Sequence, residues 1–239
     1  ANYVLNNAKT IITNSHYTKG LVKNITTKTP IKALPLGVNH TFFSPLKTPK
    51  NSNSIIKFCT VARILQFKGH DFILKVLESL PKHLQDKLEW HIAGTGPYTE
   101  NLKALIAKSS IKKQITMHGF VPDEQLPDFY RNNDVFILAT KEQKNTNQVE
   151  GFGLVFLEAQ SCGLPVIGTK TGGITDAIEH GNGGWLLPQN DLDSFKETII
   201  SIMNTPNLIK QQSIKARTRV ITKSTWKMYC NNLYKIINV

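Results

Sequence analysis

The chain of 239 residues is 40% hydrophobic and 19% charged, which is ordinary for a soluble globular protein and long enough for a substantial core. It contains no apolar run of the roughly 20 residues that a membrane-spanning helix needs. Its 29 Lys and Arg against 17 Asp and Glu give a net charge of +12, which favours an anionic partner: a nucleotide, a nucleic acid or an acidic membrane surface.

The first 45 residues predict a short entry segment. The chain starts at Ala1 in mid-pattern, so we expect it to be part of something longer. The predicted elements are a helix tail (1–9), a strand (10–13), a helix capped by Asn14 or Ser15 and running to Val22, and a second strand (31–36). The polar stretch 44–54 is the best linker candidate, and we place the main domain at residues 46–222.

In the main domain, predicted strands alternate with predicted helices. The strands are expected at 55–61, 88–93, 114–120, 134–139, 164–168 and 184–187. The helices are expected at 70–80, 98–108, 123–132, about 153–161, 174–179 and 192–203, and a last helix at 223–237 follows the domain. This alternation predicts an α/β fold with a Rossmann-like parallel sheet and helices on both faces. Ligands of such sheets bind at the carboxyl ends of the strands.

The loop after the first strand of the main domain carries two cations. Arg63 and Lys68 lie in this loop, which closes on Gly69 before the helix. Arg supplies a planar fork and Lys a mobile point charge, a combination that suits a diphosphate. The alternative is two solvated cations in a basic protein.

The strongest site signal is a glycine-rich stretch at residues 149–169. It predicts a loop, a helix that begins near Gly153, a left-handed turn at Gly163 and a buried strand. Gly151 and Gly153 let the backbone approach a ligand closely. The first N–H groups of the helix and its dipole favour phosphate oxygens.

Two glutamates flank this predicted anion site. Glu150 precedes the helix, and Glu158 is expected about 7 Å further along its axis. Carboxylates accept hydrogen bonds and do not attract an anion, so the pair suits a ligand with hydroxyls on both sides of a phosphate, such as a nucleotide sugar. The alternative is a buried helix with one solvated and one paired glutamate.

Other patterns argue against other sites. Gly94-Thr95-Gly96 is followed by Thr99 where the dinucleotide fingerprint needs a small residue, and no acidic residue follows about 20 positions on, so we reject NAD(P). Asp191-Leu192-Asp193 is interpreted as a helix cap.

The histidines lack the spacing of a metal site, so we predict no metal. The isolated Cys59, Cys162 and Cys230 predict reduced thiols in the cytoplasm. The lysines are scattered without a stacking stripe of aromatics, which disfavours nucleic acid.

These motifs together resemble a known family. The chain resembles the carboxyl-terminal, donor-binding domain of retaining GT-B glycosyltransferases of the glycosyl transferases group 1 type, over nearly its whole length. The most specific part is the segment from Glu150 to Ala159, followed by Cys162-Gly163-Leu164-Pro165-Val166. The other matching segments, in collinear order, are 8–18, 34–39, Arg63 with Lys68-Gly69, 92–97 and 119–122.

The resemblance implies a role for each matching residue. Glu150, Arg63 and Lys68 would be catalytic, with Glu150 accepting bonds from the sugar hydroxyls and the two cations gripping the donor diphosphate. The residues expected to bind the rest of the donor are Val121 beside the nucleobase, the amides of Phe152, Gly153 and Leu154, and Glu158 at the ribose. Such enzymes are metal-independent and use no cofactor beyond the nucleotide-sugar substrate.

The resemblance also implies missing parts. It implies one half of a GT-B fold, with the amino-terminal acceptor domain absent and residues 223–239 forming a helix that crosses back to it. The expected partners are a nucleotide sugar, an acceptor of open identity and an anionic membrane surface, in a cytoplasmic hexosyltransferase-like enzyme of polysaccharide biosynthesis. Two alternatives stay open: a GT-B-fold nucleotide-sugar epimerase, and a basic module that binds nucleic acid or an anionic surface.

Overall fold

The computed structural model describes residues 2–26, 28–46, 55–142, 148–205 and 207–238. Its main sheet has six parallel strands in the order β5-β4-β3-β6-β7-β8. The strands are β3 (Ile56–Val61), β4 (Leu88–Ala93), β5 (Ile115–Gly119), β6 (Val135–Leu138), β7 (Val166–Thr169) and β8 (Gly184–Leu187). A separate two-stranded parallel sheet pairs β1 (Ile11–Thr13) with β2 (Ile31–Ala33). The predicted Rossmann-like α/β fold is therefore confirmed.

Helices cover both faces of the main sheet. In chain order the α-helices are α1 (Asn2–Asn7), α2 (His16–Lys23), α3 (His70–Glu78), α4 (Lys82–Gln85), α5 (Thr99–Lys108), α6 (Leu126–Arg131), α7 (Leu154–Ser161), α8 (Ile174–Ala177), α9 (Leu192–Asn204), α10 (Leu208–Lys223) and α11 (Trp226–Ile237). Among the described residues, none of these helices combines the length and the apolar character that crossing a bilayer would require.

The sheet has its switch point between β3 and β6. The first strand of this sheet along the chain is β3, which lies in the middle of the sheet. The chain continues outward through β4 to β5 and then returns to form β6 on the other side of β3. Phe58 of β3 is in register with Val135 of β6 at this junction. Loops leave the two strands in opposite directions there, which opens a crevice at the carboxyl edge of the sheet.

The core is built on both faces of the central strands. One hydrophobic cluster includes Trp90 and lies with α3, α5 and α9, and the other includes Phe156 and lies with α6 and α7. Buried polar groups at the centre are satisfied: the Trp90 indole donates to the Thr60 hydroxyl at 3.0 Å, and Thr60 donates to the Ile137 carbonyl at 2.6 Å. These bonds tie β4, β3 and β6 together beneath the crevice.

The entry segment forms its own small β-α-β unit. Ser15 caps α2, with its hydroxyl accepting from the Thr18 N–H at 3.0 Å, as one of the two predicted caps. The chain then passes beside its own end, where Val38 forms an isolated parallel bridge with Thr225. Residues 47–54 of the predicted linker lie outside the described residues, as do residues 143–147 between β6 and α7.

Most predicted elements are found within one or two residues, but two helices were missed: the short α4 (Lys82–Gln85) and the long α10. The sequence analysis predicted no helix between 203 and 223, whereas α10 fills Leu208–Lys223. Its inward face includes the polar Gln212 and Arg219, while Ile214 and Ile221 point outward. The helix therefore lacks the apolar periodicity on which the prediction rested. The predicted helix 223–237 correspondingly starts later, at Trp226, with Thr225 as its cap.

The glycines of the Gly94-Thr95-Gly96 turn serve backbone packing. Gly94 has a φ of +136°, and a Cβ there would overlap the Ala62 carbonyl oxygen. A Cβ at Gly96 would similarly overlap the carbonyl oxygen of Ile64. The Ile64 N–H donates to the Thr95 carbonyl at 2.9 Å, so the turn after β4 is locked onto the loop after β3. This packing accounts for a glycine pattern that only partly resembles a dinucleotide fingerprint.

We predict that Gly94→Ala lowers the free energy of unfolding by about 2–4 kcal/mol, because it combines an unfavourable φ with a backbone overlap. Gly20→Ala is the matched control: nothing lies within 4 Å of its Cβ position in α2, so alanine should stabilise by about 0.5–1 kcal/mol. Urea unfolding measures both. Equal effects of the two substitutions would contradict the packing role of Gly94.

Candidate functional site

The cationic loop after β3 lies directly on the end of β6. The Lys141 N–H donates to the Phe67 carbonyl at 2.7 Å. Gly69, with a φ of +76°, lies so close to β6 that a Cβ would overlap the Ala139 carbonyl oxygen. The short 3-10 turn Gln66–Lys68 is thus held over the switch point, and Lys68 emerges at the crevice.

Lys68 and Glu150 meet across this crevice. The Lys68 Nζ lies 2.5 Å from the Glu150 Oε2, and the two side chains are 15% and 13% exposed. Two residues that are 82 positions apart in the chain therefore form one half-buried ion pair, bringing together two of the predicted catalytic residues. Because so little solvent reaches the two side chains, direct charge attraction holds them together. An anion that offers Lys68 a better partner would free the Glu150 carboxylate to accept hydrogen bonds from other donors.

The turn after β7 fixes the backbone of the Glu150 loop. The Gly173 N–H donates to the Glu150 carbonyl at 2.8 Å. A Cβ at Gly172 would lie 2.5 Å from that same carbonyl oxygen, and one at Gly173 would overlap the Gly151 carbonyl oxygen. The loop and the turn can approach this closely only because both are rich in glycine.

The same loop delivers the N-terminus of α7 to the crevice. Gly153 has a φ of +90° and precedes Leu154, the first helical residue, as predicted. Phe152 is buried in the core, so it anchors the loop from below. The Phe156 N–H bonds back to the Gly153 carbonyl at 3.0 Å, but the Leu154 and Val155 N–H groups have no partner inside the helix. They are donors available to an anion at the helix start.

Glu158 lies one turn further along α7 and is bonded to Tyr130. The Tyr130 hydroxyl donates to the Glu158 Oε2 at 2.9 Å. Burial raises the pKa of the Glu158 carboxyl, and Tyr130 opposes that rise only in part. The other oxygen, Oε1, forms no hydrogen bond with the residues that the structure describes. Glu158 thus offers one acceptor to a hydroxyl-bearing ligand.

Arg63 and Val121 lie on the other side of the crevice. Arg63 follows β3, is exposed, and makes no ion pair with any residue in the described ranges. Val121 is half-buried in the loop after β5, two strands away from β3, or about 10 Å at ordinary strand spacing. It also lines a cavity of about 490 Å³ that runs under α6 beside His91, His118 and Phe129. This cavity thus lies next to the predicted site, which is itself an open edge of the sheet.

Other groups of this region were not found by sequence reasoning. His70 is buried directly after Gly69, and burial together with the Lys68 charge lowers its pKa to about 4. Asn14 lies beside Gly151. Among the described residues, neither the two ring nitrogens of His70 nor the buried Oδ1 of Asn14 has a hydrogen-bond partner. The Gly172-Gly173 pair was a visible turn signal, whereas the Tyr130–Glu158 contact joins two helices and leaves no local signal.

The Asp191 interpretation is confirmed. Its Oδ1 accepts the Ser194 N–H at 3.0 Å and its Oδ2 accepts the Ser194 hydroxyl at 2.6 Å, which is the geometry of a helix N-cap. Within the part of the chain that the structure describes, no three His, Cys, Asp or Glu side chains gather as metal ligands would. Cys59 and Cys162 are buried, and Cys230 is exposed.

A family model for glycosyl transferases group 1 matches residues 40–219 of this chain. Among curated proteins, a GDP-mannose-dependent alpha-(1-6)-phosphatidylinositol monomannoside mannosyltransferase of Mycolicibacterium smegmatis is 25% identical over 167 residues, covering 70% of this chain and 44% of that protein. The putative colanic acid biosynthesis glycosyltransferase WcaL of Escherichia coli is 31% identical over 166 residues, covering 69% and 40%. The chain therefore spans less than half the length of these two relatives.

Solved structures share the fold. Sucrose-phosphate synthase of Thermosynechococcus elongatus superposes with a TM-score of 0.84 at 20% identity, covering 99% of this chain and 59% of that one. HepE of Anabaena, solved in complex with UDP and glucose, gives a TM-score of 0.83 at 16% identity and covers 99% and 65%. At these identities the likeness concerns the fold alone, and it identifies the sheet and crevice as one half of a GT-B architecture.

We predict that Glu158→Gln stabilises the chain above pH 4.5, the ordinary pKa of the group. Because the folded-state pKa is raised, the unfolded chain ionises first as the pH increases, and wild-type stability falls until the pH passes the folded pKa. Glutamine does not ionise and keeps its bond from Tyr130. The gain should therefore be small at pH 4.5 and grow as the pH rises.

Urea unfolding across this pH range measures the difference. Tyr130→Phe is the contrasting variant: it removes the donor to Glu158, so it should destabilise the chain most where Glu158 is ionised. A gain for Glu158→Gln that is independent of pH would show that ionisation of this carboxyl is not its cause.

Proposed function

This chain belongs to the glycosyl transferases group 1 family, and from that premise we propose that it is the donor-binding part of a retaining, metal-independent glycosyltransferase that uses a nucleoside-diphosphate sugar. One observation carries the proposal. A lysine, a glutamate and a helix N-terminus converge at the switch point of a parallel sheet, although they come from distant parts of the chain.

The three groups match the parts of such a donor. The diphosphate needs cations and N–H donors, which Lys68, Arg63 and the start of α7 supply. The sugar carries hydroxyl donors, which the Glu150 carboxylate can accept once the diphosphate takes Lys68 from it. Glu158 has an unoccupied oxygen for the ribose hydroxyls, and Val121 would border the base.

These groups also account for catalysis without a metal ion. When the bond between the anomeric carbon and the diphosphate breaks, negative charge grows on the leaving diphosphate oxygen. Lys68, Arg63 and the N-terminus of α7 are in place before the reaction and stabilise that charge where it develops. The pair with Glu150 holds the Lys68 ammonium at the crevice, where a diphosphate can replace Glu150 as its partner.

The named relatives support this substrate class. The mycobacterial relative is named for GDP-mannose, and the Anabaena structure holds UDP and glucose. GDP-mannose and UDP both contain a nucleoside diphosphate, but their bases differ. The proposal therefore covers the nucleoside-diphosphate class without assigning a base or a sugar. The name of the Escherichia coli relative supports polysaccharide biosynthesis as the setting. We propose a cytoplasmic enzyme, on the grounds of its unbridged, mostly buried cysteines.

We predict that Lys68→Ala and Arg63→Ala each weaken binding of UDP, GDP or ADP by about 10- to 100-fold, the value of a charge-assisted hydrogen bond. Binding of the matching nucleoside should change little, because both residues are assigned to the phosphates. Isothermal titration with diphosphate and nucleoside measures the two losses. Lys75→Ala, an exposed lysine on α3, is the matched control and should bind as the wild type does.

The outcomes separate the alternatives. Equal losses for nucleoside and diphosphate would contradict the phosphate assignment, and loss of binding in EDTA would contradict metal independence. Binding of random oligonucleotide with a steep salt dependence, and no nucleotide selectivity, would instead favour the basic-module alternative. Interconversion of a bound sugar into its epimer would favour the epimerase.

We also predict that this chain binds nucleotide but transfers almost no sugar alone. Transfer requires donor and acceptor face to face in a cleft from which water is excluded, and the chain covers only 44% and 40% of its two relatives. The α11 helix, which has no buried residue and leaves Trp226 42% exposed, is proposed to contact an acceptor domain.

Turnover of radiolabelled donor should therefore appear only when an amino-terminal domain is supplied, in cis or in trans. Nucleotide binding by the chain alone serves as the control for folding. Robust transfer by this chain without that domain would overturn the half-enzyme proposal.

A further inference from the structure

The start of α2 lies against the candidate site, although it belongs to the entry segment. Asn14, His16 and Tyr17 lie where β1 passes into α2. Because β1 pairs with β2 and not with the main sheet, this part of the chain is a separate unit that rests on the main domain. We call residues 14–17 the α2 junction.

The first contact of the α2 junction is with the Glu150 loop. Asn14 lies so close to this loop that a Cβ at Gly151 would be 3.2 Å from the Asn14 Nδ2. The Asn14 Oδ1 is buried, so the carboxamide fills space beside the loop. Gly151 directly follows Glu150. The α2 junction therefore bears on the loop that carries one partner of the Lys68–Glu150 pair.

The second contact is with α8. The His16 N–H donates to the Asp176 Oδ2 at 2.7 Å, and the His16 Nδ1 lies 2.7 Å from the Asp176 Oδ1. The Asp176 side chain is only 13% exposed, so little water competes for its oxygens. Gly173, just before α8, donates its N–H to the Glu150 carbonyl at 2.8 Å. This contact therefore also reaches the Glu150 loop, through the turn that holds it.

The third contact is with the loop after β6. The Tyr17 hydroxyl donates to the Glu142 Oε1 at 2.7 Å. The preceding residue, Lys141, donates its N–H to the Phe67 carbonyl of the cationic loop at 2.7 Å. The α2 junction is thus connected, through two adjacent residues, to the loop that carries Lys68.

These contacts connect both partners of the Lys68–Glu150 pair to one short segment. The segment bonds to or packs on the loop after β6, the loop before α7 and the helix after β7, all near the carboxyl edge of the sheet. Moving any of these parts away would break its contact with the junction. The alternative is that the contacts only attach the entry segment to the main domain, and then their strength would not depend on what occupies the crevice.

We propose that the α2 junction is a positioning element of the candidate site, in which Asn14, His16 and Tyr17 hold the loops of Glu150 and Lys68 at the spacing that a nucleoside diphosphate requires. Docking of the entry segment and binding of the ligand then favour the same arrangement, so each strengthens the other. The choice of ligand rests on the proposed function, whereas the effect of the junction on the two loops does not.

Amide hydrogen exchange of the 239-residue chain, followed by NMR, measures this coupling. The His16 amide reports on the junction, because its bond to Asp176 must break before it exchanges. A ligand that binds only the docked arrangement makes opening rarer by the factor 1 + [L]/Kd. UDP, GDP or ADP, whichever binds, should therefore slow His16 exchange about tenfold at ten times its Kd. The Ile11 amide, bonded to the Pro30 carbonyl within the entry segment, is the internal control and should not change.

Two variants test the loops without any ligand. Tyr17→Phe removes the bond to Glu142, so the Lys141 amide should exchange about fivefold faster, the value of one ordinary hydrogen bond. Asn14→Ala should similarly speed exchange of the Gly173 amide, which donates to the Glu150 carbonyl. Tyr234→Phe, which removes an exposed hydroxyl on α11, is the matched control and should change neither amide. Unchanged exchange in β3 and β4 verifies that each variant is folded.

The outcomes separate this inference from the proposed function. Unchanged exchange of Lys141 and Gly173 in the two variants would overturn the positioning role. Faster exchange there, together with a His16 rate that bound ligand leaves unchanged, would overturn the coupling and make the junction an attachment only. If no nucleoside diphosphate binds the wild-type chain, the proposed function fails, and the two variants still decide whether the junction positions the loops.

Discussion

The contact between Lys68 and Glu150 is the constraint on which the candidate site depends. It joins the loop after β3 to the loop before α7, which are the two loops that leave the switch point of the sheet in opposite directions. The pair is half-buried, so separating the two side chains without a replacement partner would leave two poorly solvated charges. Under the proposed function, a diphosphate would be such a replacement for Lys68, and sugar hydroxyls would be one for Glu150. Donor binding would then be an exchange of partners between two loops that the ion pair already holds together.

The backbones around this ion pair are held by close packing at glycines. Gly69 rests on the end of β6, Gly94 rests on the loop after β3, and Gly172 and Gly173 rest on the Glu150 loop. At each of these positions a side chain would collide with a carbonyl oxygen of the neighbouring loop. The glycines thus bring carbonyl and N–H groups of four strand ends into direct contact, and the polar side chains are placed by that framework.

The sequence predicted the parts of this arrangement that are local. The strands from β3 to β8, the start of α7 at Gly153 and the Asp191 cap follow from periodicity and capping chemistry, and the structure confirms them. It did not predict the Tyr130–Glu158 bond, because that contact depends on how two helices pack. It also missed α10, since the side chains that this helix buries are partly polar. The assigned roles of the site residues toward a donor remain predictions.

The α10 helix shows that part of the positive charge holds the fold together. Arg219 of α10 is buried and donates to the Ala177 carbonyl at 2.9 Å and the Asp176 carbonyl at 3.0 Å. Arg217 donates to the Ser161 carbonyl at 2.8 Å and the Phe43 carbonyl at 3.1 Å, at the end of α7. These guanidinium groups satisfy carbonyls and secure the helix that carries Glu158, so they offer no charge to a ligand. Arg63 and Lys68 lie in the loop at the crevice, and Lys23 of α2 is exposed on the entry segment. Net charge alone therefore could not identify a partner, because cations on separate elements contribute to it and some of them are committed to holding the fold.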